Sequence, residues 1–182
     1  MAQYVFGYGS LLRGRDGSEP PGARACRLHG YRRAWNVAMD NSLSVPGYKY
    51  YRDVRDASRP RVFVTFLNLV PALGGVVNGL AFPVDSARLA ELDRRERNYE
   101  RHEIRGSLSE PFDGPAWTYI GSAAAEERFR CGLSQGRAVI DKRYLDGVRA
   151  GFARLTAGSL AEFDASTDPH DCLVVKLERV EL

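Results

Sequence analysis

Apolar positions run along the chain in short blocks, separated by stretches rich in glycine, proline and charge. Residues 3–8 (QYVFGY) are aromatic and β-branched and predict a strand, which Gly7-Tyr8-Gly9-Ser10 breaks at once. Residues 13–25 carry Gly14, Gly17, Pro20, Pro21 and Gly22 and read as loop. Residues 26–37 are extended again, with Leu28, Tyr31, Trp35 and Val37 as their apolar positions, and 40–61 are irregular around Pro46-Gly47 and Arg59-Pro60. The run 61–70 (RVFVTFLNLV) is a strand whose weak alternation points to burial on both faces. A turn over 71–75 then joins it to a strand over 76–82, in the manner of a hairpin. Residues 85–99 predict a helix that Asp85 or Ser86 caps, with Leu89, Glu91 and Leu92 as good helix formers. Strands over 101–108 and 116–120 flank a Pro-Phe-Asp-Gly-Pro turn. A second helix, 142–155, shows the stripe Leu145, Val148, Phe152, Leu155, and its Gly147 and Gly151 would let a neighbouring backbone approach. Residues 172–181 close the pattern as a last strand.

Strands outnumber helices and do not alternate with them, so the class is α+β with a mixed sheet of about six strands and flanking helices. In so short a chain such a sheet is expected to curl into a small β-barrel that protects its edges. The chain has 182 residues, no internal repeat and no linker, and reads as a single domain over 1–182. Apolar residues at 44% and charged residues at 27% exclude a disordered chain. No apolar run reaches the roughly 18 residues of a membrane helix, and the first residues lack a basic signal-peptide region. Cys26, Cys131 and Cys172 are odd in number and widely spaced, which fits a reducing, cytoplasmic location.

Charge alters this picture in one respect. Of 26 basic residues only Lys49, Lys142 and Lys176 are lysine, leaving 23 arginines. Arginine suits planar anions, yet a net charge of +3 with 23 acidic residues is not the basic stripe of a nucleic-acid binder. The aromatic run Tyr48, Tyr50, Tyr51 beside Arg52 and Arg55 is the best candidate for stacking a single strand, and it too reads as an ordinary loop. No nucleic-acid or membrane partner is expected.

Two places carry candidate chemistry. Gly7 and Gly9 frame Tyr8 at the end of the first strand, where successive N–H groups can form an anion-binding hollow and Ser10 adds a hydroxyl. The second is the first helix. At about 100° per residue, Leu89, Leu92, Glu96 and Tyr99 share one face, and Arg94, Arg95 and Arg97 spread over the polar side. A carboxylate inside an apolar stripe is costly unless paired or neutral, and desolvation raises its pKa toward the range of a general acid or base. Glu100 and Asp93 lie close enough that periodicity does not choose among the three, and pairing of Glu96 with an arginine stands as the alternative.

Taken together these segments resemble the γ-glutamylcyclotransferase-like superfamily, with its cyclotransferase, ChaC-type and AIG2-like branches. Val5-Phe6-Gly7-Tyr8-Gly9-Ser10-Leu11-Leu12 is similar to the N-terminal F(G/A)YGS(L/N)L signature. Leu92-Asp93-Arg94-Arg95-Glu96 is similar to its LDxxE segment, Tyr99-Glu100-Arg101 to the YxR that follows, and Ala116-Trp117-Thr118-Tyr119 to a later AWxY strand. Gly30-Tyr31-Arg32-Arg33 resembles the ChaC branch, while Arg13 stands where that branch carries a tryptophan. The resemblance implies a small mixed barrel with flanking helices and selects Glu96 as the catalytic acid/base. It implies a substrate site at Tyr8, Gly9, Ser10 and Leu11, and neither cofactor nor metal. The activity it implies is that of a γ-glutamylcyclotransferase-type lyase or acyltransferase of glutathione and related metabolism. Such an enzyme releases 5-oxoproline and a free amine from a γ-glutamyl amine, a γ-glutamyl amino acid or glutathione. The alternative is an inactive small-ligand binding module of the same fold.

Overall fold

The computed structural model describes residues 2–14 and 17–181; Arg15 and Asp16 of the expected loop lie outside the described residues. Strand β1 (Gln3–Gly7) lies between β4 (Phe63–Val84), antiparallel, and β6 (Ala116–Gly121), parallel. The sheet order is β5-β6-β1-β4-β7-β8, with β5 as Tyr99–Glu103, β7 as Ala138–Asp141 and β8 as Leu173–Val175. β2 (Arg24–Asp40) pairs with β4 along most of its length. The class is α+β, as expected, with more strands than the six foreseen.

The expected hairpin over 61–82 is replaced by one long strand. Both halves of β4 pair with β2, from Asp40↔Phe63 to Arg24↔Ala81, so the chain does not reverse at 71–75. The turn residues are absorbed by a bulge: Tyr31 faces Pro71 while His29 faces Val76, with Gly30 and Gly74 at positive φ. The last expected strand divides. Lys176 separates β8 from β9 (Leu177–Glu181), and β9 forms a two-stranded ribbon with β3 (Lys49–Asp53). That ribbon places Tyr51 in the core and leaves Tyr48 and Tyr50 half-buried.

Helix α1 (Ser86–Arg95) starts on Asp85, whose carboxylate accepts the Arg88 N–H at 2.7 Å. Its Leu89 and Leu92 pack with Val5, Leu11, Phe82 and Tyr119, which docks the helix beside the end of β1. Helix α3 (Lys142–Leu155) starts on buried Asp141, whose carboxylate accepts from the N–H groups of Arg143, Tyr144 and Leu177 at 3.2–3.3 Å. The expected backbone approach along α3 is not made at Gly147, where a side chain would meet open space; Gly151 faces the side chain of Leu12.

Two helices were not foreseen. α2 (Ala123–Ser134) buries only Ala125 and Gly132, and so lacks an apolar stripe that periodicity could reveal. α4 (Ser159–Ala165) is too short to show one. It presses Phe163 against Phe152 of α3, ring centroids 4.6 Å apart, and Arg33 of β2 stacks against both rings. Among the described residues no helix is long and apolar enough to cross a membrane.

Candidate active site

The end of β1 turns sharply because Gly7 has no side chain. A Cβ there would lie 2.9 Å from the carbonyl carbon of Leu11, in the 3₁₀ turn Ser10–Leu12 that folds back over it. Buried Arg33 holds the turn from the core side, its Nε donating to the Tyr8 carbonyl at 2.9 Å. The same guanidinium donates to Ser166 Oγ at 2.6 Å and to both oxygens of Asn78. Since a trans peptide is planar, fixing the Tyr8 carbonyl toward Arg33 makes the Gly9 N–H face away from it. Among the described residues, no oxygen accepts from the N–H groups of Gly9, Ser10 or Leu11. These amides are free to receive an anion or a developing oxyanion.

Tyr8, Gly9, Ser10 and Leu11 line a narrow recess of about 20 Å³, together with Leu67, Glu96, Tyr99, Tyr119 and Tyr144. Its tyrosines are anchored. Tyr8 donates to the Tyr119 carbonyl at 2.7 Å, Tyr99 to the Leu67 carbonyl at 2.7 Å and Tyr119 to Asp93 Oδ1 at 2.8 Å. Tyr144 accepts the Leu67 N–H at 3.4 Å and keeps its own proton to donate. Burial holds all four phenols above their ordinary pKa, so they stay neutral near pH 7. In the sequence Tyr119 stands out only within the AWxY-like strand, and Tyr144 is not singled out as a site residue. The signal for Tyr144 is tertiary, because Asp141 starts α3 where its first turn meets Phe66 and Leu67 of β4.

Glu96 lies one residue past α1, not on it. Its N–H still bonds the Leu92 carbonyl at 2.8 Å, its own carbonyl accepts the Tyr99 N–H at 2.9 Å, and Tyr99 opens β5. The stripe Leu89, Leu92, Glu96 therefore points one way, but the helix ends before Tyr99. The carboxylate is a wall of the recess, not a member of the core, and its side chain is 13% exposed. Arg95 was expected on the polar face; instead its Nε reaches Glu96 Oε1 at 3.1 Å. The ion pair and the site position thus coexist. Of the rivals, Asp93 is engaged by Tyr119 and by Arg101 at 2.9 Å, and Glu100 is exposed on β5.

The recess opens into a wider cleft of about 280 Å³, and Ser10, Glu96, Tyr99 and Tyr144 line both. The cleft is also lined by Lys49 at the start of the ribbon, by Tyr48 just before it and by Phe66 of β4. Cationic side chains exceed anionic ones: Lys49, Arg94, Arg95, Arg97 and Arg179 against Glu91, Glu96 and Glu181.

Residues 5–136 match the sequence profile of a family described as gamma-glutamyl cyclotransferase, AIG2-like. A search among curated proteins returned no match. Among solved structures, one titled gamma-glutamyl cyclotransferase is similar with a TM-score of 0.55 and 14% identity, covering 94% of this chain and 90% of that one. A gamma-glutamyl cyclotransferase specific to glutathione, from yeast, is similar at 0.54 and 14%, covering 93% and 99%. A human protein titled as uncharacterized is similar at 0.52 and 14%, covering 93% and 90%. At such identities the structural likeness establishes the fold.

Proposed function

The chain belongs to the gamma-glutamyl cyclotransferase, AIG2-like family, and from that premise we propose that it converts a γ-glutamyl compound to 5-oxoproline and a free amine. The α-amino nitrogen of the substrate attacks the substrate's own γ-carbonyl carbon. A new C–N bond closes the ring, and the old C–N bond to the leaving amine breaks. The attacking nitrogen loses a proton and the leaving nitrogen gains one, so a single carboxylate beside both serves as base and then as acid. Glu96 takes that role. The γ-carbonyl oxygen gains negative charge between these steps and needs donors already in place. The N–H groups of Gly9, Ser10 and Leu11, the Ser10 hydroxyl and the Tyr144 hydroxyl supply them. Ring closure is unimolecular, so a recess that holds the glutamyl chain folded contributes much of the rate.

The observation that carries this reading is one juxtaposition. Glu96 and the amides of the Tyr8–Leu11 turn, unbonded among the described residues, face a single recess. The test is Glu96→Gln. It is expected to lower 5-oxoproline release by about 10²- to 10⁴-fold. The lost ion pair to Arg95, whose two side chains are mostly buried, should cost about 1–3 kcal/mol of stability. Unchanged turnover in a folded Glu96→Gln variant overturns Glu96 as the acid/base. γ-Glutamyl compounds that bind the natural chain without turnover would instead make it a binding module.

A further inference from the structure

Of the cations that line the cleft, Lys49 and Arg94 have no carboxylate partner among the described residues; Arg94 is exposed, whereas Lys49 is half-buried. Each cleft carboxylate already has an arginine: Glu96 has Arg95 at 3.1 Å, Glu181 has Arg179 at 2.5 Å and Glu91 has Arg88 at 2.6 Å. Arg97 turns its guanidinium to the carbonyls of Pro46, Gly47 and Arg94. Lys49 has no such partner. Among the described residues, no carboxylate lies within ion-pair distance of its Nζ, although Glu181 faces it across the β3–β9 ribbon. The ammonium sits instead over the face of Phe66, 4.4 Å from the ring centroid, and 5.5 Å from that of Tyr48.

An unpaired ammonium on a half-buried side chain is costly, and a cation–π contact returns only part of that cost. Burial and the nearby Arg179 lower its pKa to about 8, while Glu96 acts in the opposite direction. At pH 7 the side chain is still mostly protonated. The fold therefore holds a positive charge in the cleft, close enough to Glu96 to feel its field.

Geometry says which half of a substrate would meet it. Glu96, Ser10, Tyr99 and Tyr144 line both the recess and the cleft, so the bond that breaks belongs at their junction. The carbonyl oxygen goes to the amides of the recess, and the leaving amine extends into the cleft that Lys49 helps to line. We propose that Lys49 is a specificity-determining residue whose ammonium binds a carboxylate carried by the leaving amine. The chain would then release amino acids or small peptides in preference to uncharged or cationic amines. This rests on the cyclotransferase reading above and narrows its substrate class.

The test compares γ-glutamyl-alanine with γ-glutamyl-ethylamide, which differ only in the carboxylate of the leaving amine. Glutathione, whose leaving dipeptide holds its carboxylate one residue farther out, is the third substrate. The natural chain is expected to favour an acid-bearing substrate over the ethylamide by at least tenfold in kcat/KM. Lys49→Met should reduce that ratio about tenfold or more, chiefly through KM, and Lys49→Arg should retain most of it. Which acid is preferred tells an amino-acid leaving group from a dipeptide. A Lys49→Met variant that keeps the ratio overturns the proposal, as does a natural chain that favours the ethylamide.

The same three compounds are titrated calorimetrically against the Glu96→Gln variant, with and without Lys49→Met. This reads binding when nothing turns over. Carboxylate-dependent binding that Lys49→Met abolishes, in a chain without turnover, leaves the Lys49 assignment standing and removes the catalytic reading. Absence of any carboxylate-dependent binding overturns the assignment itself.

Discussion

Replacing Arg33 by methionine keeps a stem of similar shape and removes both a buried charge and the hydrogen bonds it makes. Burial lowers the guanidinium from 12.5 to about 9. At about 1.4 kcal/mol per pKa unit, holding it charged at pH 7 costs the fold on the order of 5 kcal/mol. The substitution releases that cost. It also leaves the Tyr8 carbonyl and both oxygens of Asn78 without this donor. Each orphaned acceptor costs about 1–3 kcal/mol, so three amount to about 6 kcal/mol at mid-range. The terms nearly cancel, and Arg33→Met should lie within about 2 kcal/mol of the natural chain. Arg33→Lys fares worse. It keeps a buried charge, yet one ammonium cannot span Tyr8, Ser166 and Asn78 as the planar fork does.

Function should not follow stability here. Without Arg33 the Tyr8–Gly9 peptide loses its anchor, and a displacement of about 1 Å at the oxyanion donors can lower turnover about 10²-fold. Urea titrations of the two variants at pH 7, read at equal m, and 5-oxoproline release under saturating substrate test both halves. An Arg33→Lys variant more stable than Arg33→Met refutes the balance of terms. Full activity in Arg33→Met refutes the role of the anchor.

Alkaline titration reports the same interior. Between pH 8 and 9 Lys49, lowered to about 8, is charged more often in the unfolded chain than in the folded one, so stability should rise by about 1 kcal/mol. Above pH 10 the buried Tyr8, Tyr48, Tyr51, Tyr99, Tyr119 and Tyr144 reverse the sign, because they stay neutral when folded and ionise on unfolding. Against the two cations Lys49 and Arg33 that is a net release averaging about three protons between pH 10 and 11, or about 4 kcal/mol lost; a urea midpoint that holds steady over that interval contradicts it. Gly7→Ala should cost about 1–3 kcal/mol and displace the Ser10–Leu12 turn, because its Cβ meets the Leu11 backbone at 2.9 Å. Gly147→Ala, facing open space on α3, should raise thermal stability by about 0.5–1 kcal/mol; equal melting shifts for the two alanines would refute the packing at Gly7.

Local pattern alone carried the α+β class, the strand of Gln3–Gly7 and most of α1 and α3, because each depends on spacing that neighbours along the chain impose. The glycine-framed turn and a carboxylate following Leu92 were legible for the same reason. What the pattern misjudged was decided by partners distant in sequence. β4 runs straight through its turn residues because β2 is there to pair with both halves. The Glu96 carboxylate became a recess wall because α1 stops at Arg95 and docks on Val5 and Phe82. Tyr144 and Lys49 come from segments far from the motif, and only packing brings them to one cleft. The twenty-three arginines show the division well. Composition established their number and their surplus over lysine. Whether one stacks in the core under the Tyr8–Leu11 turn, as Arg33 does, or pairs beside the candidate acid/base, as Arg95 does, depends on desolvation and on which acceptors the fold brings within reach. Those quantities exist only once the chain has folded.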